Sequence, residues 1–145
     1  MWPMAQALLR LNIHHGLVVH GADGLDEVTT TGETSAIEIR SGGKTHHFSP
    51  IHVGLSRASL NQLRGGVVET NVEIAHNVLN GKATPQQRDI VALNAGCVIY
   101  TADQTNETGG EFIGGIKEGI EKAFEALESG RARTVLERAI EMSHS

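Results

Sequence analysis

The chain begins with a change from helical to extended spacing of its apolar positions. The apolar residues between Pro3 and Leu11 recur at helical spacing, and Pro3 suits a first turn, so this segment predicts a short amphipathic helix. Leu17 to Val19 then form an uninterrupted apolar run between glycine-containing segments, which indicates a strand buried on both faces. Since such strands are typical of parallel sheets, we expect a central, parallel strand at these residues.

The segment from Ser35 to Phe48 predicts a β-hairpin. Ile37 and Ile39 alternate with polar neighbours, as in a strand that buries one face. A tight turn is expected from Ser41 to Lys44, before a second strand that ends at Phe48.

Most of the chain after the hairpin has helical periodicity, with glycine stops and a proline start. The predicted helices are Ser59 to Leu63, Glu69 to Leu79, Pro85 to Tyr100, Ile116 to Leu127 and Val135 to Met142. The third is apolar nearly all round, which predicts a buried helix, and the polar stretch from Thr101 to Gly110 predicts a loop. The fold class is therefore α/β: a mixed sheet with a central parallel strand and a hairpin, and about five helices packed on it.

Composition and charge narrow the partners and the location. The 145 residues carry a formal net charge of −5 and no cluster of Lys and Arg, so a footprint for nucleic acid is absent. No run approaches the ~20 apolar residues of a membrane span, and the N-terminus lacks the layout of a secretory signal. The single cysteine, Cys97, lies in an apolar run and suits a buried position in a reducing compartment. We expect a cytoplasmic protein that binds neither nucleic acid nor membranes.

The strongest candidate for a functional site is the polar loop after the first predicted strand. Open α/β sheets place their ligand crevice at the carboxyl ends of strands. Here the loop carries the adjacent acids Asp26 and Glu27, with Asp23 three residues earlier. Carboxylate oxygens are the ligands of Mg²⁺, which usually keeps waters and substrate phosphates in its shell. The same acids also fit a solvated turn or a helix cap, so the residues alone leave both interpretations open.

The histidines and glycines do not form a motif of their own. The pairs His14-His15 and His46-His47 would point to opposite faces of a strand, and no two of the eight histidines have the i, i+4 spacing of a helical zinc motif. The 17 glycines match neither a phosphate-binding loop nor a dinucleotide fingerprint. We interpret both residue types as structural, and the same interpretation is favoured for the hydroxyls of Thr29 to Thr31.

The run from Val18 to Glu27, followed by Thr29 to Gly32, resembles a signature of the anthranilate phosphoribosyltransferases, within the nucleoside phosphorylase and phosphoribosyltransferase family. Further segments resemble that family in the expected order. They are Pro3 to Leu11, Gly54 to Gly66, Asn71 to Gly81 and Arg88 to Ala95. The resemblance covers nearly the whole chain. It implies that residues 1–145 are a single partial domain, the C-terminal portion of the family's α/β domain without its helical N-terminal domain.

The resemblance also implies a reaction and a metal. Members of the family transfer a phosphoribosyl group from phosphoribosyl pyrophosphate to the amino group of anthranilate, in tryptophan biosynthesis, with Mg²⁺ at the pyrophosphate. Adjacent acids at the positions of Asp26 and Glu27 help to hold that Mg²⁺. The chemistry is consistent with such a role, because negative charge develops on the leaving pyrophosphate and a metal there acts as a Lewis acid.

Several parts of the family pattern lie upstream of the segments that this chain contains. They are the glycine-rich pyrophosphate loop, a lysine-histidine-glycine-asparagine segment and the arginine that contacts anthranilate. We therefore assign no catalytic residue, and the substrate-binding residues stay unknown. Glu33 also stands where many relatives have proline, and the loop from Asp103 to Gly110 is longer than usual.

From these gaps we expect the chain to be inactive alone. Apolar strand edges and helix faces left uncovered would favour pairing with an N-terminal half or with a second copy of the chain. The alternative is a non-catalytic remnant or interaction module that binds Mg²⁺ or a phosphorylated metabolite.

Overall fold

The structure, a computed structural model, describes residues 1–40, 42–102 and 111–144. Within these ranges it contains a sheet of three strands, one 3₁₀ turn and six α-helices. In chain order they are α1 (Trp2–Arg10), β1 (Gly16–Gly21), β2 (Thr34–Ile39), β3 (Lys44–Phe48), the 3₁₀ turn (Pro50–Val53), α2 (Leu60–Leu63), α3 (Val68–Leu79), α4 (Pro85–Ala102), α5 (Phe112–Glu128) and α6 (Arg131–Ser143). Every predicted helix is present, although α5 and α6 begin about one turn earlier than predicted.

The predicted loop from Thr101 to Gly110 is only partly described. Thr101 and Ala102 continue α4, and residues 103–110 lie outside the described ranges, as does Ser41 in the predicted hairpin turn. None of the helices in the described part of the chain combines the length and the apolar content that a membrane crossing requires.

The sheet confirms the hairpin and corrects the direction of the first strand. β2 pairs with β3 in antiparallel register, as predicted. The expectation of a central parallel strand at Leu17 to Val19 is wrong for the described sheet, because β1 lies at its edge and pairs antiparallel to β2. A parallel connection needs a crossover, usually a helix, whereas residues 22–33 contain no helix and turn straight back into β2. The sheet is therefore antiparallel throughout rather than mixed, within an α/β fold.

The two faces of β2 belong to two different cores. Ile37 and Ile39, 1% and 0% exposed, pack with Ala5 of α1 on one face. Ala36 joins the larger core on the other face, together with buried residues of α4 and α5 such as Leu93 and Ile116. Helices thus cover both faces of the sheet, which explains why alternate apolar positions in β2 were visible in the sequence.

Helices α4 and α5 pack so closely that their backbones touch. A Cβ atom added at Gly119 would collide with the backbone carbonyl of Gly96, and one added at Gly96 would lie 2.7 Å from Ile120. A larger residue at either position would force the helix axes apart. This contact lies between the two longest helices of the described chain. The neighbouring residue Cys97 is buried, and the lack of solvent raises the pKa of its thiol to about 12.

The expectation that α4 is buried all round holds for one side of the helix only. Ala92, Leu93 and Tyr100 are buried, whereas Val91 and Val98 are 42% and 66% exposed. The reason is that α5 and the sheet cover one side of α4, and the described chain leaves the opposite side open to solvent.

The glycine contact gives a prediction for stability. Gly119→Ala should lower the free energy of unfolding by about 2 kcal/mol, because the added methyl group overlaps the Gly96 carbonyl. Urea unfolding followed by circular dichroism measures the change.

The matched control is Gly114→Ala, also in α5, where an added Cβ meets no neighbour within 4 Å. This control should be neutral or more stable by up to about 1 kcal/mol, because alanine is the better helix former. Equal effects of the two substitutions would contradict the close-contact explanation.

Candidate functional site

The acid loop, residues 22–33, connects β1 to β2. Hydrogen bonds hold it at its base, where its two ends meet, and at its middle, around Val28. At the base, the Ala22 N–H donates to the carbonyl of Glu33 at 2.8 Å. At the middle, the Val28 N–H donates to Oδ1 of Asn94 at 3.0 Å, and the Val28 carbonyl accepts from Nδ2 of Asn94 at 2.8 Å. Since Asn94 lies on α4, these two bonds tie the loop to the helical layer.

Asp23 is hydrogen-bonded through both of its carboxylate oxygens. The Leu25 N–H donates to Oδ1 at 3.1 Å, and the hydroxyls of Thr29 and Thr31 each donate to Oδ2 at 2.5 Å. Partial burial opposes ionisation of Asp23, but these hydrogen bonds outweigh it and hold its pKa below the usual value. Asp23 is therefore a carboxylate whose oxygens are already occupied within the loop.

The predicted metal ligands Asp26 and Glu27 lie at the exposed part of the same loop. Among the described residues, neither carboxylate accepts a hydrogen bond. Partial burial raises the pKa of Glu27, and the negative charges of Asp26 and Asp23 raise it further. The structure thus brings the three acids close enough to repel one another, and a bound cation would relieve that repulsion.

The available oxygens suit a cation that keeps much of its own shell. Within the described ranges, no three His, Cys, Asp or Glu side chains are placed to hold a metal by themselves. Mg²⁺ does not need such a cage, because it is usually bound by one or two carboxylates together with waters and substrate phosphates. The exposed pair of Asp26 and Glu27 fits this type of coordination.

The three threonines after the acid pair are structural, in agreement with the favoured interpretation. Thr29 and Thr31 direct their hydroxyls at Asp23. Thr30 is fully buried, and its hydroxyl has no hydrogen-bond partner in the part of the chain that the structure describes.

A second polar cluster, the Glu38 cluster, consists of His15, Glu38, His46 and Tyr100. The Tyr100 hydroxyl donates to Oε1 of Glu38 at 2.6 Å, and Nε2 of His15 lies 3.0 Å from the same oxygen. Nε2 of His46 lies 3.0 Å from Oε2. Phe112 stacks on His46 with ring centroids 3.7 Å apart. No motif in the sequence indicated this cluster, because its members come from β2, β3, α4 and the residue before β1.

Both carboxylate oxygens of Glu38 have hydrogen-bond partners within the Glu38 cluster. These bonds connect the sheet to helix α4. Glu38 is 7% exposed, and burial opposes its ionisation. Hydrogen bonds from Tyr100, His15 and His46 outweigh that burial and lower the pKa of Glu38. Burial, followed by the bond to Glu38, raises the pKa of Tyr100. A cavity of about 390 Å³ lies beside the cluster, and its lining includes both basic and acidic side chains, such as Arg40 and Glu111. This mixed charge indicates neither an anionic nor a cationic ligand.

A three-stranded antiparallel sheet between helices, with an exposed acid pair in the loop after β1, defines an α/β domain with its candidate ligand site at a strand's carboxyl end. The chain belongs to the glycosyl transferase family, a/b domain, whose model matches residues 1–133. The family resemblance inferred from the sequence is thereby confirmed.

Known relatives of this chain are anthranilate phosphoribosyltransferases. That of Symbiobacterium thermophilum is 41% identical over 143 residues, which cover 98% of this chain and 39% of the relative. That of Rubrobacter xylanophilus is 41% identical over 142 residues, covering 97% of this chain and 39% of the relative. The chain therefore spans about two-fifths of the length of these relatives.

Solved structures of the same enzymes have a similar fold. The enzyme from Thermus thermophilus superposes with a TM-score of 0.83 at 38% identity, over 99% of this chain and 40% of that one. The Saccharomyces cerevisiae enzyme in complex with phosphoribosyl pyrophosphate and Mg superposes with a TM-score of 0.70 at 29% identity, over 85% of this chain and 33% of that one. Mg²⁺ is thus a ligand of solved members of the family.

The Glu38 cluster leads to a prediction about pH. At pH 7, Glu38→Gln should lower the free energy of unfolding by about 1–3 kcal/mol, because a buried charged acceptor is lost from its donors. Since the pKa of Glu38 is lowered by folding, its contribution is complete above the ordinary glutamate pKa and is lost as the pH falls towards the folded value. The difference between wild type and variant, measured by urea unfolding, should therefore shrink below about pH 4.5.

The matched control for Glu38 is Glu33→Gln. The Glu33 side chain is 61% exposed and lies 3.7 Å from His47. This substitution should change stability by less than about 0.5 kcal/mol at either pH. A pH-independent effect of Glu38→Gln would contradict a role for its charge.

Proposed function

We propose that this chain is the C-terminal portion of an anthranilate phosphoribosyltransferase and that residues 1–145 form a single partial domain of it. In the complete enzyme, it supplies one sheet, the surrounding helices and the acid pair Asp26–Glu27, which binds Mg²⁺ beside the pyrophosphate of phosphoribosyl pyrophosphate. The observation that carries the proposal is the exposed acid pair, without hydrogen bonds among the described residues, in a chain 41% identical to such an enzyme over 143 residues.

In the proposed reaction, the residues of this chain would hold the metal ion. A bound Mg²⁺ would neutralise the charge that develops on the leaving pyrophosphate. Asp26 and Glu27 would hold the metal through carboxylate oxygens, on a loop that Val28 and Asn94 fix to α4. The exposure of the two acids leaves room for waters and phosphate oxygens in the rest of the metal shell.

The remaining substrate contacts would come from another polypeptide segment, an N-terminal portion. Two features of this chain support pairing of that kind. In the described sheet, β1 has a paired strand on one side only, and Val91 and Val98 expose an apolar face of α4. Such edges and faces favour association, either with an N-terminal portion or with a second copy of the chain. The cytoplasmic location and the absence of nucleic-acid binding stay predictions from the sequence.

A non-catalytic module is the second candidate. The observation that favours it is that the chain covers only 39% of its relatives while its acid pair is accessible without any further segment. Such a module would bind Mg²⁺ or a phosphorylated metabolite and transfer nothing.

An assay of anthranilate fluorescence distinguishes the two candidates. The purified chain is mixed with anthranilate, phosphoribosyl pyrophosphate and Mg²⁺, with and without the N-terminal portion of a relative. We expect no loss of anthranilate signal with the chain alone and a loss when both portions are present. Asp26→Ala should reduce the rate of the mixture by at least about 100-fold, since a metal contact contributes several kcal/mol to charge stabilisation.

The control substitution is Glu121→Ala, which removes an exposed acid from α5 and should leave the rate unchanged. Turnover by the chain alone would contradict the need for a second portion. No turnover by a mixture shown to assemble, by light scattering, would favour the non-catalytic module.

A further inference from the structure

We propose that Asp23 is a positioning residue that presents Asp26 and Glu27 as a preformed pair, rather than a third ligand of the cation. The inference rests on the proposed function, because it concerns the same site. By composition and spacing, Asp23 belongs with the other two acids. The family resemblance assigns the metal to Asp26 and Glu27 and gives Asp23 no role, and the contacts in the structure supply one.

Both oxygens of the Asp23 carboxylate already accept hydrogen bonds within the loop. Oδ2 accepts from the hydroxyls of Thr29 and Thr31, and Oδ1 accepts from the N–H of Leu25. The two hydroxyl bonds, at 2.5 Å, are short charge-assisted hydrogen bonds, which are about twice as strong as neutral ones. A cation that used Asp23 as a ligand would have to displace these donors, whereas Asp26 and Glu27 have no such bonds to break among the described residues.

The hydrogen-bond partners of Asp23 lie on both sides of the acid pair along the chain. Leu25 precedes the acid pair, and Thr29 and Thr31 follow it. A single carboxylate therefore joins the two limbs of the loop, which are the part that precedes the acid pair and the part that follows it. Asp26 and Glu27 lie on the segment between these limbs. This bridge limits the separations that the limbs can adopt, and a site whose limbs are already ordered loses less conformational entropy when it binds.

The backbone next to Asp23 leaves space for this bridge. A Cβ atom at Gly21 would collide with Oδ1 of Asp23 and would lie 3.1 Å from the methyl carbon of Thr29. The Gly21 N–H also donates to the carbonyl of Leu25 at 2.9 Å. Glycine at this position thus gives Asp23 the space to reach both limbs.

Substitutions at Thr31 test the proposal without touching any carboxylate. Thr31→Val removes one donor to Asp23 at nearly constant volume, and Thr31→Ser keeps the hydroxyl. Binding of Mn²⁺, a spectroscopic substitute for Mg²⁺, is followed by electron paramagnetic resonance with the full chain. We expect Thr31→Val to weaken Mn²⁺ binding about tenfold, the loss of one hydrogen bond to a charged group, and Thr31→Ser to stay within about twofold of wild type.

A comparison with Asp23→Asn separates positioning from ligation. If Asp23 were a ligand, Asp23→Asn would weaken Mn²⁺ binding while Thr31→Val would not, and that result would overturn the proposal. Asp26→Ala reports on the proposed metal site itself. If wild type binds no Mn²⁺, or if Asp26→Ala leaves binding unchanged, the metal assignment fails and the role of Asp23 is decided by the next measurement.

Hydrogen exchange in the metal-free chain tests the positioning role independently. Peptides that span residues 24–31 should exchange about tenfold faster in Thr31→Val than in wild type, whereas Thr31→Ser should exchange like wild type. Peptides from α5 should be unchanged in both variants, which controls for general destabilisation. Equal exchange of residues 24–31 in all three proteins would overturn the inference whether or not the metal binds.

Discussion

The two hydrogen bonds between Asn94 and the backbone of Val28 are the constraint on which the arrangement of the site depends. Asn94 lies two residues before Gly96, where α4 meets α5 through backbone contact. The position of the acid loop is therefore set by the most tightly packed part of the helical layer, and not by the loop's own residues alone. A loop with no helix or strand in it becomes a defined structure because a rigid helix supplies the partners of its middle peptide groups.

The same helix joins the loop to the Glu38 cluster. Tyr100 follows Asn94 by less than two turns of α4 and donates to Glu38 on the face of the sheet that α4 covers. The acid loop and the sheet's one buried carboxylate are thus held by two side chains of a single helix. Both the acid loop and Glu38 therefore depend on the position of α4.

The sequence predicted those features that depend on local pattern. The alternation of Ile37 and Ile39 predicted a buried face of β2, and both are almost fully buried. The apolar run at Leu17 to Val19 predicted a strand but misjudged its direction, because burial and direction are separate properties and only the connection determines the second. Glu38 occupies a polar position in the alternation, yet it is buried beside its donor Tyr100. The pattern could not predict this burial, because Tyr100 lies 62 residues away along the chain.

The candidate site likewise contains residues that the sequence could identify and one whose role it could not. The family resemblance pointed to Asp26 and Glu27, whose metal role stays a prediction, whereas no feature of the sequence indicated a positioning role for Asp23. Its partners stand six and eight residues along, with no periodicity that would reveal them.

The edge position of β1 has a consequence for how assembly and ligand binding affect each other. The acid loop begins where β1 ends, so a strand paired along that edge would lie beside the strand that carries the loop. Suppose that one cation contacts both the acid loop and the added strand. Thermodynamic linkage then requires that the cation strengthens their association by the same factor by which association strengthens cation binding. In an assembly of that kind, the concentration of free Mg²⁺ would influence how much of the chain is assembled.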